Sequence, residues 1–365
     1  MADEVLYIGL TVSVKRRTTM KYYVGLDVSL KEISVCVIDG DGKIKARGTT
    51  PADPMAVKSW FKNRSLEPET IVHESGQMSI WLQRGFLELG LPAICIDARR
   101  AHKSLSARLN KSDASDAEGL AQLARTGWFT PVFVRSVEAD RLRALVGARE
   151  RMMRLRKDLE GHIRGVLKTF GIRMTGVPQG KLRQKFRDQL AAAGETDPVL
   201  RIMADAFIDI HAMLCKAAAD LGKALKTKAE THPVAKRLTT IPGVGPIVSL
   251  SFIALIEDPS RFTKSTDVGA YLGLTPKRYQ SGEIDWSGRI SKRGDKAMRS
   301  LLVESASTLI RNVKRFSALK SWAIRLAGRK GFRKAAIAVA RKIAVLMLTL
   351  WKTETDFQWT KEAKS

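Results

Sequence analysis

The chain has 365 residues, enough for two or three domains, and carries 63 Lys and Arg against 37 Asp and Glu, a formal charge of +26. Hydrophobic residues make up 44%, which argues against a disordered basic tail, and the charge makes nucleic acid the first partner to consider. The three cysteines, Cys36, Cys95 and Cys215, form no CxxC pair. That speaks against a disulfide scaffold or a zinc finger and suits a reducing cytoplasm.

Residues 1–20 show neither the apolar core nor the cleavage site of a signal peptide and are read as an extension without an assigned role. A β-rich stretch follows. Short strands are predicted at 22–27, 33–38 and 43–48, with Asp39-Gly40-Asp41-Gly42 as the turn between the last two. A helix at 55–61, a strand at 70–73, a helix at 81–89 and an apolar strand at 92–96 complete a domain spanning 21–132. Three strands, helix, strand, helix, strand is the order of an RNase-H-like α/β fold.

From 137 to 170 the period turns helical: Leu145, Ala148, Met152, Leu155, Leu159, Ile163, Val166 and Phe170 recur at three- and four-residue steps. A second stripe runs through Leu200, Met203, Phe207, Ile210, Leu214, Ala217 and Leu221. The glycines and prolines of 171–198 read as a mixed connector. Residues 133–237 are therefore predicted to form a helical hairpin or coiled-coil arm. The last domain, 238–354, is mainly helical and basic, and 355–365 is a tail. Between Ser287 and Lys342 the only acids are Asp295 and Glu304, against 16 Lys and Arg. The most apolar late segment, 335–351, is split by Arg341 and Lys342, so no membrane span is expected.

Four carboxylates stand where strands and helices begin or end. Asp27 closes the first strand, Glu74 closes the strand at 70–73, and Asp113 and Asp116 open a helix three residues apart, on one face. Singly, each reads as a turn or cap residue. Together, at the strand ends of an RNase-H-like order, they read as a site whose repulsion a hard cation such as Mg²⁺ relieves. Glu118 and Asp97 are rival ligands nearby.

Two glycine motifs follow. In Ile241-Pro242-Gly243-Val244-Gly245-Pro246, Gly243 and Gly245 resemble a helix-hairpin-helix turn that offers backbone N–H groups to a phosphate. The alternative is a tight loop with glycine caps. In Gly273-Leu274-Thr275-Pro276-Lys277-Arg278-Tyr279-Gln280-Ser281-Gly282, Ser281 sits among Lys277, Arg278, Arg289, Lys292 and Arg293. These cations suit phosphate contact, and a nucleophilic serine needs them to offset charge developing on phosphorus oxygens. A loop Ser-Gly is also an ordinary turn.

In order, Gly25-Leu26-Asp27-Val28-Ser29, His73-Glu74-Ser75-Gly76, Lys111-Ser112-Asp113-Ala114-Ser115-Asp116, the Gly243/Gly245 turn, the Ser281 loop and the run from Gly288 to Leu302 resemble the insertion-sequence 110 family of transposases. The likeness runs from about Tyr22 to about Trp351. It implies a RuvC-like domain with an Asp-Glu-Asp-Asp site for Mg²⁺ at Asp27, Glu74, Asp113 and Asp116, a coiled-coil region, and a transposase domain whose catalytic serine is Ser281. It also implies a structured bridge RNA that pairs with target and donor double-stranded DNA, and dimers that join into a tetramer. From the residues alone, a metal-only junction nuclease and a non-catalytic nucleic-acid scaffold remain alternatives.

Overall fold

The computed structural model describes residues 21–105, 113–176, 178–281 and 284–359. The chain forms two compact units, divided between Arg135 and Ser136.

The first unit is built on a five-stranded mixed sheet. Strands β1 (Tyr22–Val28), β2 (Glu32–Ile38) and β3 (Ile44–Pro51) form an antiparallel meander, while β4 (Pro68–Glu74) and β5 (Ala93–Ile96) run parallel to β1. The spatial order is β3-β2-β1-β4-β5. β1 is central and buried on both faces, which explains its nearly unbroken apolar run. The Asp39 carboxylate makes the predicted turn by accepting from the backbone N–H groups of Asp41 and Lys43 at 3.0 and 2.9 Å. Strands and helices follow the predicted order to within a few residues.

One face of the sheet packs Val24, Leu26 and Ile71 against helices α1 (Pro54–Lys62) and α2 (Ser79–Glu88), through Val57, Trp60, Leu82 and Phe86. Its other face takes α3 (Ala98–Leu105) and α4 (Asp113–Thr126). Here Tyr23, Val72 and Ile96 meet Ala101, Leu120 and Ala124, and Cys36 and Ile38 meet Ala117 and Ala121. At the centre the approach is backbone to backbone. A Cβ on Gly25 would lie 2.0 Å from the Ala117 carbonyl oxygen and 2.4 Å from the Ala121 nitrogen. Gly25 meets Ala117 near the start of α4, whereas Gln122 and Arg125 later in the helix donate to the Gly42 and Gly40 carbonyls in the turn after Ile38, which pairs with Tyr23, so the helix runs against β1. Its first turn therefore lies toward the end of β1 that carries Asp27.

Among the described residues, the regular structure of the second unit is helical except for one ribbon. Helices α5 (Val137–Thr169) and α7 (Pro198–Thr231) lie antiparallel: Ile163 and Leu167 pack with Leu200 and Ala204, while Leu142 packs with Leu225 and Ala229. Each starts on a capping side chain, Ser136 and Asp197. The stretch read as a mixed connector contains a helix, α6 (Leu182–Gly194), whose Phe186, Leu190 and Ala193 close the end of this pair.

The seam also differs from the stripe expected on α5. Its buried positions are Ala139, Leu142, Arg156, Glu160, Ile163 and Leu167, while Ala148 and Phe170 are exposed. The reason is polar: Arg156 and Glu160 occupy seam positions. Glu160 lies 3.0 Å from Nε2 of the fully buried His211 of α7 and 3.1 Å from Nε of Arg156.

The remaining core gathers around α9 (Pro246–Ile256), which follows α8 (Pro233–Thr239) and has eight buried residues. After the short α10 (Val268–Tyr271) come strands β6 (Pro276–Ser281) and β7 (Ile284–Ile290), then α11 (Lys296–Arg311), α12 (Ala318–Lys330) and α13 (Phe332–Thr353). Among the described residues no helix is long and apolar enough to cross a membrane.

Candidate functional site

Asp27 and Glu74 are positioned by the sheet itself. β1 and β4 are parallel, with Gly25 opposite Val72 and Leu26 opposite His73, so Asp27 and Glu74 stand one register step further on. Side chains alternate along a strand, which puts Asp27 on the face of Gly25 and Glu74 on the face of Val72, the face that α4 covers. Parallel neighbours are about 4.8 Å apart. Both carboxylates line one cavity of about 270 Å³, with Ser29, Ser75 and Gln77 from the loops that leave the two strands.

Glu74 is supported from below. His73 is buried on the opposite face, where its Nε2–H donates to Gln83 Oε1 at 2.7 Å, and the Gln83 amide donates to the Ala93 carbonyl at 2.5 Å. Burial holds the His73 imidazole below its ordinary pKa, so the ring stays neutral and fixed against α2.

The other acids fall into three places. Asp116 is half-buried in the first turn of α4, where the helix N-terminus favours negative charge, but it does not line the Asp27–Glu74 cavity. Asp113 opens α4, and its side chain lies outside the described residues. Among the described residues no three His, Cys, Asp or Glu side chains gather closely enough to hold a metal ion. Of the rivals, Glu118 pairs with Arg47 of β3, away from Glu74's side of β1. Asp97 caps α3 by accepting from the Arg100 N–H at 2.9 Å. The chemistry of the donor set, two carboxylates at adjacent strand ends with hydroxyl and amide oxygens in the same cavity, fits a hard divalent cation.

In the second unit the Gly243–Gly245 turn joins α8 to α9. Gly243 has φ +88°, and a Cβ there would lie 2.5 Å from the Ser305 carbonyl oxygen of α11. Packing on α11 thus demands a glycine at 243. At Gly245, the N-cap of α9, a Cβ would meet open space, so its backbone is left accessible.

Ser281 does not sit in a glycine loop. It is the last residue of β6, paired with Ile284 at the tip of an antiparallel two-stranded ribbon. The ribbon forms because Tyr279 and Trp286, both good strand formers, are direct cross-strand partners. In the sequence this pairing shows only as two aromatic residues flanking the Ser281-Gly282 pair. The Ser281 side chain lies outside the described residues. Lys277, Arg278, Arg289, Lys292 and Arg293 are all exposed along the ribbon and its exit, so the cations expected there face solvent.

The base of the ribbon is locked. Cβ atoms on Gly273 and Gly294, both at positive φ, would lie 1.9 Å from the Arg293 and 2.2 Å from the Tyr271 carbonyl oxygens. The Arg299 guanidinium donates to the Leu272, Arg293 and Gly294 carbonyls at 3.2, 3.0 and 2.9 Å.

Comparison with known proteins places the chain in a family. Residues 24–172 match a family model for DEDD transposases of the IS110 type, and residues 235–321 match one described as transposase, IS116/IS110/IS902 family. The chain is 29% identical over 360 residues to the transposase for insertion sequence element IS1111A of Coxiella burnetii, covering 96% of this chain and 95% of that one. It is 25% identical over 343 residues to a probable family 20 transposase of Pseudomonas aeruginosa, covering 92% and 98% respectively. A Thermus thermophilus RuvC structure overlays 31% of this chain and 100% of its own at 14% identity, with a TM-score of 0.24.

The class is therefore a transposase, an enzyme that cuts and rejoins DNA. Within that class the chain belongs to the IS110 family.

Proposed function

We propose that this transposase cleaves and exchanges DNA strands through a phosphoserine link at Ser281, assisted by a divalent ion, Mg²⁺, held by Asp27, Glu74, Asp113 and Asp116 in an RNase-H-like domain. The observation that carries the reading is the placement of Asp27 and Glu74 on one face, at the ends of adjacent parallel strands, in one cavity. The ion would polarise a phosphate oxygen and offset charge building on phosphorus.

The chain's own residues do the rest. The Ser281 oxygen bonds to phosphorus as the phosphorus–sugar oxygen bond breaks, and the serine proton passes to the departing sugar oxygen. Rejoining reverses this: a sugar hydroxyl from the other duplex attacks phosphorus and releases the serine. Because the link stores the phosphodiester's energy, no nucleotide is consumed. Lys277, Arg278, Arg289, Lys292 and Arg293 bind the phosphate backbone, and the Gly243–Gly245 turn adds backbone N–H contacts.

These contacts read no bases, so sequence choice falls to a structured bridge RNA that pairs with target and donor duplexes. The charge of +26 suits a protein that holds both RNA and DNA. Dimers formed through the helical arm, 133–237, join into a tetramer that brings the duplexes together.

Incubation with bridge RNA, DNA and Mg²⁺ should leave a denaturant-resistant protein–DNA adduct whose peptide map carries phosphate on Ser281. Ser281→Ala should abolish it. Persistence of the adduct in Ser281→Ala, or cleaved ends bearing a free phosphate and no protein, would overturn the serine reading in favour of metal-activated water.

A further inference from the structure

The β6–β7 ribbon carries two aromatic rings that the proposed chemistry leaves without a task. Tyr279 and Trp286 are cross-strand partners, with ring centroids 6.3 Å apart and planes inclined at 30°. Each remains more than half exposed, 57% and 56%. A cross-strand pair stabilises a ribbon through its facing surfaces only. Here the remaining surfaces form an apolar patch in a strongly basic setting, the pattern of a recognition site.

The patch has a defined shape. A Cβ on Gly288 would lie 2.6 Å from Cζ3 of Trp286, so the indole lies along β7 over a position that only glycine leaves open. The strand residues themselves are thereby held in place, and the Gly273–Gly294–Arg299 lock keeps the ribbon from pivoting at its base. Residues 276–293 carry five cations, Lys277, Arg278, Arg289, Lys292 and Arg293, against two acids, Glu283 and Asp285. Cations beside exposed rings are what an unpaired nucleic-acid strand requires: charge for its phosphates and a flat apolar surface for its bases.

We propose that Tyr279 and Trp286 form a stacking platform for an unpaired DNA base beside the cleavage position. Ser281 stands two residues beyond Tyr279 on β6, about 7 Å along the strand, close to the reach of one nucleotide. DNA is the strand assigned because DNA is what this enzyme cuts and rejoins, and exchange of strands leaves bases unpaired at the break. The location beside the break rests on the reading of Ser281 as nucleophile; the binding of an unpaired base does not.

The test uses the full chain and three labelled probes: a DNA duplex, the same duplex with a gap of three unpaired thymidines, and that gap with abasic residues. Wild-type protein should bind the thymidine gap roughly 5- to 150-fold more tightly than the abasic gap, the range that base–aromatic stacking supplies. Trp286→Val and Tyr279→Val keep a strand-forming residue, so the ribbon persists without its rings. Both should bind the two gaps equally, at the abasic level, with affinity for intact duplex unchanged.

A gap preference that survives in Trp286→Val and Tyr279→Val, or equal loss on all three probes, would refute the platform. A preference confined to the corresponding RNA gap would refute its assignment to DNA. Ser281→Ala should keep the thymidine preference while losing the adduct, which separates failure of the platform from failure of the serine reading.

Discussion

Gly25 offers the sharpest test of how the fold positions the acids. Replacing it with alanine adds one methyl group at a point where the Ala117 oxygen and the Ala121 nitrogen would lie 2.0 and 2.4 Å away. Both are helix backbone atoms, and neither can swing aside as a flexible side chain does. The only relief is for α4 to lift off β1 by an ångström or more. Overpacking of this kind costs about 1–3 kcal/mol, and rigid neighbours on both contacts place Gly25→Ala at about 3 kcal/mol. For a unit of this size that corresponds to a fall in Tm of roughly 10 °C. Gly40→Ala is the control, because a Cβ at that position meets nothing within 4 Å. Hydrogen exchange of the full chain, read peptide by peptide alongside calorimetry, should show the loss in the first unit alone. DNA cleavage should fall as well, since α4 carries Asp113 and Asp116. A Gly25→Ala protein that melts with Gly40→Ala and wild type would refute the close approach of α4 and the placement of its first turn that follows from it.

Acid should weaken the first unit through His73. The folded pKa is lowered, by burial first, so the unfolded chain takes up a proton where the native state does not. Stability from this group is complete above the ordinary histidine value near 6.5 and is lost below it, at up to about 1.4 kcal/mol per pH unit. Chemical denaturation between pH 7.5 and 5.5 should show that slope, flattened in His73→Asn. In the second unit, Glu160→Ala strands Arg156 and His211 in the seam and should cost about 3–5 kcal/mol, whereas the triple variant Arg156→Met, Glu160→Leu, His211→Leu should come near wild type in the same calorimetric scan. Arg299→Lys has a side chain about one atom shorter, so its ammonium falls short of the three carbonyls that Arg299 Nη1 contacts, and it should lower the rate of adduct formation at Ser281 with little change in melting. Unchanged adduct kinetics would show that the ribbon needs no such lock.

The first unit was the more legible part of the chain because each of its signals is local. Val24 and Leu26 frame a glycine in a buried strand, Asp39-Gly40-Asp41-Gly42 is a turn with a hydrogen-bonding mechanism, and the acids stand at the ends of elements. What places Asp27 beside Glu74 is the β1–β4 pairing across some forty-five intervening residues, and only the strand order hinted at it. The long helices were legible in length but not in register. Apolar periodicity assumes an apolar seam, whereas this one admits Arg156, Glu160 and His211 as a mutually paired set. Helix α6 was hidden because six of its thirteen residues, Arg183, Gln184, Lys185, Arg187, Asp188 and Gln189, are polar and crowd its first eight positions. The ribbon was hidden by its glycines and cations, which are poor strand formers. Tyr279 and Trp286 outweigh them only when the two strands are already paired.

The claim on which the rest depends is that Asp27 and Glu74 are ligands to a divalent ion. Titration of the full chain with Mn²⁺, followed by electron paramagnetic resonance, tests it without any DNA or turnover. Wild type and Ser281→Ala should bind Mn²⁺ alike, while Asp27→Asn and Glu74→Gln should each weaken binding at least tenfold. Undiminished binding in both carboxylate variants would contradict the account.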